Sequence, residues 1–133
     1  MRDTGKEADM TNPATELFGE VISSYSRAQA IEDGVLVDVT ETAREAGIKY
    51  PVALTRAVFE RCVALPKRYR GLEDERGRLW DVLSMFRFAA RVNGGDTLRY
   101  SLMVSRRKVL LKAVIGPGDT LDPVITIMLP DED

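Results

Sequence analysis

The chain has 133 residues and a formal net charge of −2, with 44% hydrophobic and 30% charged residues. This balance is typical of a soluble globular protein and gives no field that would favour nucleic acid or a membrane surface. The single cysteine excludes an internal disulfide and fits a cytoplasmic protein. The absence of histidine excludes the usual serine and cysteine catalytic triads. No apolar run is long enough to span a membrane. We expect no membrane association and no cofactor.

The beginning of the chain is polar and then becomes periodic. Residues 1–13 are charged, small and without a repeat, which predicts a disordered tail, and residues 14–133 are predicted to form a single domain. Apolar side chains in residues 14–22 predict a short helix. Ser26 is predicted to cap a second helix over residues 27–32, which Gly34 ends.

The next segments are short and apolar. Residues 35–39 predict an edge strand or an extended link, and a short helix follows Thr40 and ends at Gly47. Residues 52–65 have a broad apolar face and predict a helix that packs on the central helix described next. Residues 66–71 predict a loop.

Residues 74–92 predict the long central helix of the fold. Their apolar residues recur at helical spacing and form one stripe, which comprises Leu79, Val82, Leu83, Phe86, Ala89 and Ala90. Trp80, Met85, Phe88 and Val92 flank this stripe. Because the apolar arc is wider than one packing face needs, we expect contacts on more than one side, and Trp80 is predicted to pack against the rest of the protein.

Beyond Gly94 the apolar period changes from 3.6 to 2. The runs 98–104, 109–115 and 124–129 predict three strands joined by short links. The sequence therefore predicts an α+β fold with short N-terminal helices, a long central helix and a C-terminal three-stranded antiparallel meander, which the central helix covers.

The phrase Gly-Asp-Thr-Leu occurs at residues 95–98 and again at residues 118–121. In an antiparallel pair of strands the two copies lie at the same end, so Asp96, Asp119 and Asp122 could bind a cation or form a hydrolase site. The same residues are also common in turns, and this interpretation is favoured.

Two basic segments are candidates for protein or nucleic-acid binding. They comprise Lys67, Arg68, Tyr69 and Arg70 in the first and Arg106, Arg107 and Lys108 in the second. Cations around a tyrosine could bind phosphate and stack on a base. The acidic balance of the chain favours solvated loops instead.

A polar cluster between residues 25 and 34 is a further candidate recognition surface. It contains Tyr25, Arg27, Gln29, Glu32 and Asp33, and it could equally be one capped helix whose polar side faces solvent. Cys62 lies on an apolar helical face without a histidine to activate it, so it is predicted to be a core residue.

Several phrases resemble a known family of small bacterial proteins of unknown function. They are residues 17–22, 27–39, 47–55, 77–83, 111–119 and 123–133, for example Gly47-Ile48-Lys49-Tyr50-Pro51. The resemblance covers nearly everything after residue 16. It implies an origin in plasmids, integrative elements or phages, whose small accessory proteins often bind host machinery, and inhibitors of CRISPR or restriction complexes are one such class. No residue role follows from it.

We therefore expect a non-enzymatic protein-binding accessory factor of a mobile genetic element, which could act against a host defence complex. The expected partner is another protein or protein complex, and the oligomeric state is left open. Nucleic-acid binding through the basic segments and a carboxylate site at Asp96 and Asp119 are the alternatives.

Overall fold

The computed structural model of the chain describes residues 25–65 and 74–132. The chain divides into two compact units, Met1–Ala30 and Ile31–Asp133. The predicted tail over residues 1–13, the predicted helix over residues 14–22 and the predicted loop over residues 66–71 lie outside the described residues. The single domain over residues 14–133 stays a prediction.

The described helices are α1 (Arg27–Glu32), α2 (Thr40–Glu45), α3 (Arg56–Val58), which continues into a π-helical turn (Phe59–Val63), and α4 (Glu75–Val92). Side chains cap the N-termini of three of these helices, α1, α3 and α4. The Gln29 N–H donates to Ser26 Oγ (2.9 Å), as predicted for the cap of α1. At α4, the Arg76 N–H donates to the carboxylate of Asp74 (3.0 Å). Such bonds satisfy backbone groups that have no partner inside the helix.

Five strands form one mixed sheet. They are β1 (Leu36–Asp38), β2 (Val52–Thr55), β3 (Thr97–Val104), β4 (Arg107–Pro117) and β5 (Pro123–Met128). The order is β1-β2-β5-β4-β3. All neighbours are antiparallel except β2 and β5, which are parallel. The α+β class and the central helix are therefore confirmed.

The predicted three-stranded sheet is incomplete. Strands β3, β4 and β5 do follow one another in antiparallel pairs, but β5 also pairs with β2, and β1 extends the sheet further. Of the two alternatives predicted for residues 35–39, the edge strand is the one observed, over Leu36–Asp38. The sequence pattern missed the parallel pair because its two strands are separated by the central helix and a hairpin.

The prediction of one helix over residues 52–65 is wrong in its first part. Val52, Ala53 and Leu54 are fully buried and form β2. A strand that is buried on both faces is apolar throughout, so its periodicity resembles that of a buried helix. The Val58 N–H then donates to Thr55 Oγ1 (3.3 Å), and helical structure begins at Arg56.

The hydrophobic core lies between one face of the sheet and the helices. Leu54, Leu111 and Ile127 come from the sheet and are fully buried, and Leu83 from α4 is buried among the same cluster. Helix α4 packs on β3, and the Tyr100 hydroxyl of β3 donates a hydrogen bond to the Val82 carbonyl of α4 (3.0 Å). This packing fixes which side of α4 faces away from the sheet.

Candidate protein-binding surface

Four of the six residues of the predicted stripe of α4 are buried, Leu79 and Ala90 are partly buried, and the residues that flank the stripe are exposed. Val82, Leu83, Phe86 and Ala89 are the buried residues of the helix. Trp80 is 41% exposed, Phe88 63% and Val92 68%, and Met85 is also exposed. Helix α4 contacts β3, α2 and the π-helical turn. The predicted packing of Trp80 is partial, because its side chain is covered over a little more than half of its surface.

We call Trp80, Met85, Phe88 and Val92 the outer strip. Phe88 is its centre, because Met85 lies three residues before it and Val92 four residues after it, which places all three on one side of the helix. Trp80 lies two turns earlier on the same exposed half of α4. Met85, Phe88 and Val92 therefore form one exposed apolar row, and Trp80 adds exposed apolar surface nearer the start of the helix.

Three arginines lie along one side of the outer strip. Arg76, Arg87 and Arg91 are exposed on the flank of α4 that Trp80 shares. The acidic Asp81 lies one turn before Met85 on the other side. Arg76, Trp80 and Asp81 also line an open depression of about 540 Å³ near the start of the helix. Aromatic residues, methionine and arginine are the residue types enriched in protein interfaces, and tryptophan and arginine often dominate their affinity.

The second basic segment forms a tight hairpin. Val104 pairs with Arg107, so Ser105 and Arg106 make a two-residue turn with φ angles of 50° and 69°. Arg107 and Lys108 are the first residues of β4, where successive side chains point to opposite faces of the sheet. The three cations are exposed but do not share one face. Lys67, Arg68, Tyr69 and Arg70 lie outside the described residues.

The carboxylates of the repeated phrase lie at one end of the sheet. The Ile115 N–H donates to the carbonyl of Asp96 (2.7 Å), which brings the start of β3 beside the end of β4, and the turn with Asp119 and Asp122 follows. This topology agrees with the predicted hairpin. However, within residues 25–65 and 74–132, no group of three or more Cys, Asp or Glu side chains could hold a metal ion. The cation site stays a prediction from sequence.

The polar cluster around α1 belongs to a capped helix and the residues next to it. Tyr25, Gln29, Glu32 and Asp33 are exposed, and Arg27 is half-buried. Gly34 follows with φ of 80°, a conformation that glycine adopts without strain. The observed helix agrees with the interpretation of this cluster as one capped helix. It does not test whether the cluster recognises a partner.

Two buried titratable groups lie in the core behind the outer strip. Burial raises the pKa of the Cys62 thiol, against the smaller opposing effect of Arg61 and Arg78. Burial also raises the pKa of the Tyr100 hydroxyl strongly, and the neighbouring Cys62 adds to this. Cys62 is 1% exposed, so its predicted role as a core residue is confirmed. A buried thiol with a raised pKa is a poor nucleophile.

Sequence reasoning identified the residues of the outer strip but assigned them to the interior. The signal was the width of the apolar arc, which exceeds what one packing face requires. Such an excess predicts either a second internal contact or an exposed patch, and sequence alone does not distinguish the two. Phe88 and Val92 are mostly exposed, which shows that the excess apolar residues form an exposed patch and not a second internal contact.

Among the helices of residues 25–65 and 74–132, none has the length and apolar character of a membrane span.

Comparison with known proteins identifies the family. No curated protein and no solved structure matches the chain. Residues 15–133 match a protein family described as "Family of unknown function (DUF6573)". This match covers almost the whole chain, and the chain therefore belongs to that family.

Proposed function

We propose that this chain is a protein-binding accessory factor that acts without catalysis and that it binds its partner through the outer strip of α4. The observation that supports the proposal is Phe88, a large apolar side chain that is 63% exposed at the centre of a patch. Full burial of one such side chain in an interface contributes about 1.5–3 kcal/mol, which is enough to make it an affinity hot spot.

The charges around the strip indicate the character of the partner. Arg87 and Arg91 are exposed beside Phe88 along the helix. A partner surface with apolar side chains and acidic residues along one side of them would match this arrangement, because complementary charges accelerate association and reject wrong partners. The proposed partner is therefore a protein with an apolar and acidic patch.

The experiment is a quantitative pull-down from a bacterial host lysate with the tagged full-length chain. Two variants accompany the wild type. Phe88→Glu places a charge in the outer strip, and Leu121→Glu makes the same change at an apolar residue that is 93% exposed elsewhere. We expect a protein that the wild type and Leu121→Glu both enrich and that Phe88→Glu loses. Equal capture by all three chains would show that the outer strip is not the binding surface.

The finer proposal is that the chain serves a mobile genetic element and inhibits a host defence complex of the CRISPR or restriction type. It is supported by the resemblance described above and by the small size of the protein. The test is phage plating on cells that carry one defence system and express either the wild type or Phe88→Glu. The wild type should restore plating and the variant should not. Unchanged plating across the tested systems would refute the anti-defence role.

Both alternatives have simple tests. Nucleic-acid binding through the two basic segments predicts a gel shift at low salt that weakens steeply as salt rises, and no shift at low salt refutes it. A carboxylate site predicts that a millimolar divalent cation raises the melting temperature and that Asp96→Asn and Asp119→Asn abolish the rise. An unchanged melt leaves these aspartates as turn residues.

A further inference from the structure

The two edge strands of the sheet differ strongly in length. Strand β1 at one edge has three residues, whereas β3 at the other edge has eight and contains no proline. Natural proteins usually shorten, charge or cover an edge strand, because its unpaired backbone groups bind other strands. Among the outward-facing residues of β3, Arg99 is the charged one. Within residues 25–65 and 74–132, the β3 edge therefore has little of the usual protection.

The backbone groups that β3 presents at this edge can be assigned. The Ile115 N–H donates to the carbonyl of Asp96 (2.7 Å), and β3 and β4 are antiparallel with Thr97 opposite Val114. Hydrogen-bonded residues alternate along an antiparallel strand, so Leu98 and each second residue after it bond to β4. The N–H and C=O groups of Thr97, Arg99, Ser101 and Met103 consequently point away from the sheet.

Helix α4 packs on β3, the strand that forms this edge. On one flank of the helix, the Arg87 guanidinium lies so close to Gly47 that a Cβ built there would be 3.1 Å from it. Gly47 follows α2, which contacts β2 and α4. Met85 and Val92 are about 160° and 140° around the helix from Arg87 at 3.6 residues per turn. They lie on the opposite flank, which faces the side where the sheet ends in β3.

We propose that the groove between the β3 edge and the Met85–Val92 flank of α4 binds an extended segment of the partner protein, which adds to the sheet as a sixth strand. This inference rests on the proposed protein-binding function and specifies how the partner is held. Backbone hydrogen bonds to Arg99, Ser101 and their neighbours supply affinity, and side-chain contacts supply specificity.

The residues around the groove determine which side chains the bound segment carries. Alternate residues of an added strand point toward α4, so those positions take apolar side chains that contact Met85 and Val92. The other positions lie beside Arg99, whose exposed cation favours an acidic residue across the strands. A second copy of this chain does not fit, because its own α4 would lie over its β3. Neighbouring strands are about 4.8 Å apart and packed helices need 8–10 Å.

The test begins with selection of peptides from a random displayed library against the full-length chain. We expect enriched peptides with alternating apolar residues and an acidic residue between them. The tightest peptide is then resynthesised with one backbone amide methylated at a time. Methylation should weaken binding at least about tenfold at every second position and little at the positions between, because only alternate amides of an added strand face its neighbour.

Substitutions in the chain provide the second arm. Ser101→Pro removes an N–H that faces the groove without removing a bond to β4, and it should weaken peptide binding at least about tenfold, whereas Ser101→Thr keeps the N–H and should bind normally. Absence of any enriched peptide, or a methylation profile without a period of two, overturns the inference. Binding that depends on Phe88 but not on these amides would overturn the groove alone and leave the proposed function intact.

Discussion

Phe86 and Phe88 test the placement of α4 directly, because they are the same residue type on the same helix with opposite environments. Phe86 is 3% exposed and its ring lies 6.1 Å from that of Tyr100, whereas Phe88 is 63% exposed. A phenylalanine buries about 150 Å² of apolar surface when fully covered. At about 25 cal/mol per Å², Phe86 contributes about 3.6 kcal/mol and Phe88 about 1.4 kcal/mol.

Truncation to alanine adds two corrections. Alanine is a better helix former than phenylalanine by about 0.5 kcal/mol, which lowers both costs. Only Phe86→Ala leaves an internal cavity, which raises its cost again. We therefore expect Phe86→Ala to lower the free energy of unfolding by about 3–5 kcal/mol and Phe88→Ala by about 1 kcal/mol or less.

The assay is urea denaturation of the full-length wild type and both variants, followed by circular dichroism. The slope of the free energy against urea should stay the same, since that indicates a comparable unfolding transition. Costs that are equal for the two variants, or a near-neutral Phe86→Ala, would refute the assignment of the inner and outer faces of α4.

Three further predictions concern stability. Burial raises the pKa of the Tyr100 hydroxyl in the folded protein, so the stability that this group contributes is complete below the unfolded pKa of about 10 and is lost as the pH rises above it. The free energy of unfolding, measured by urea denaturation, should therefore decrease less steeply with alkaline pH in Tyr100→Phe than in the wild type. The Glu132 carboxylate accepts hydrogen bonds from Thr55 Oγ1 (2.8 Å) and the Leu129 N–H (2.7 Å), so Glu132→Ala should cost about 1–3 kcal/mol in urea denaturation and Glu132→Gln less. Arg106 has a φ of 69°, which glycine adopts without strain, so Arg106→Gly should raise the free energy of unfolding by up to about 1 kcal/mol, whereas Arg107→Gly in β4 should lower it. A lower free energy of unfolding in Arg106→Gly would contradict the turn geometry.

Local features of the fold were predictable from sequence, and long-range pairing was not. Ser26 and Asp74 cap helices because their side chains accept bonds from nearby N–H groups, and such signals depend on a few adjacent residues. The strands of the β3–β4 hairpin follow from a period of two and a short turn. By contrast, the parallel pairing of Val52 with Ile125 joins residues far apart in the chain, and no local pattern encodes it.

The candidate surface shows the same division. The periodicity of α4 placed Val82, Leu83 and Phe86 in the stripe that faces the core, and these three are buried. It did not reveal that Phe88 would be largely exposed, because an amphipathic pattern describes a helix and not the elements around it. The backbone groups at the β3 edge were equally hidden, because they depend on the register with β4.

Site-specific photocrosslinking in host cells tests the central claim most directly. A photoreactive benzoylphenylalanine replaces Phe88 in one chain and Leu121 in another, and both positions are exposed. If the outer strip is the binding surface, irradiation should join the chain to one partner protein from position 88 and not from position 121. The same adducts from both positions, or none from position 88, would contradict the account.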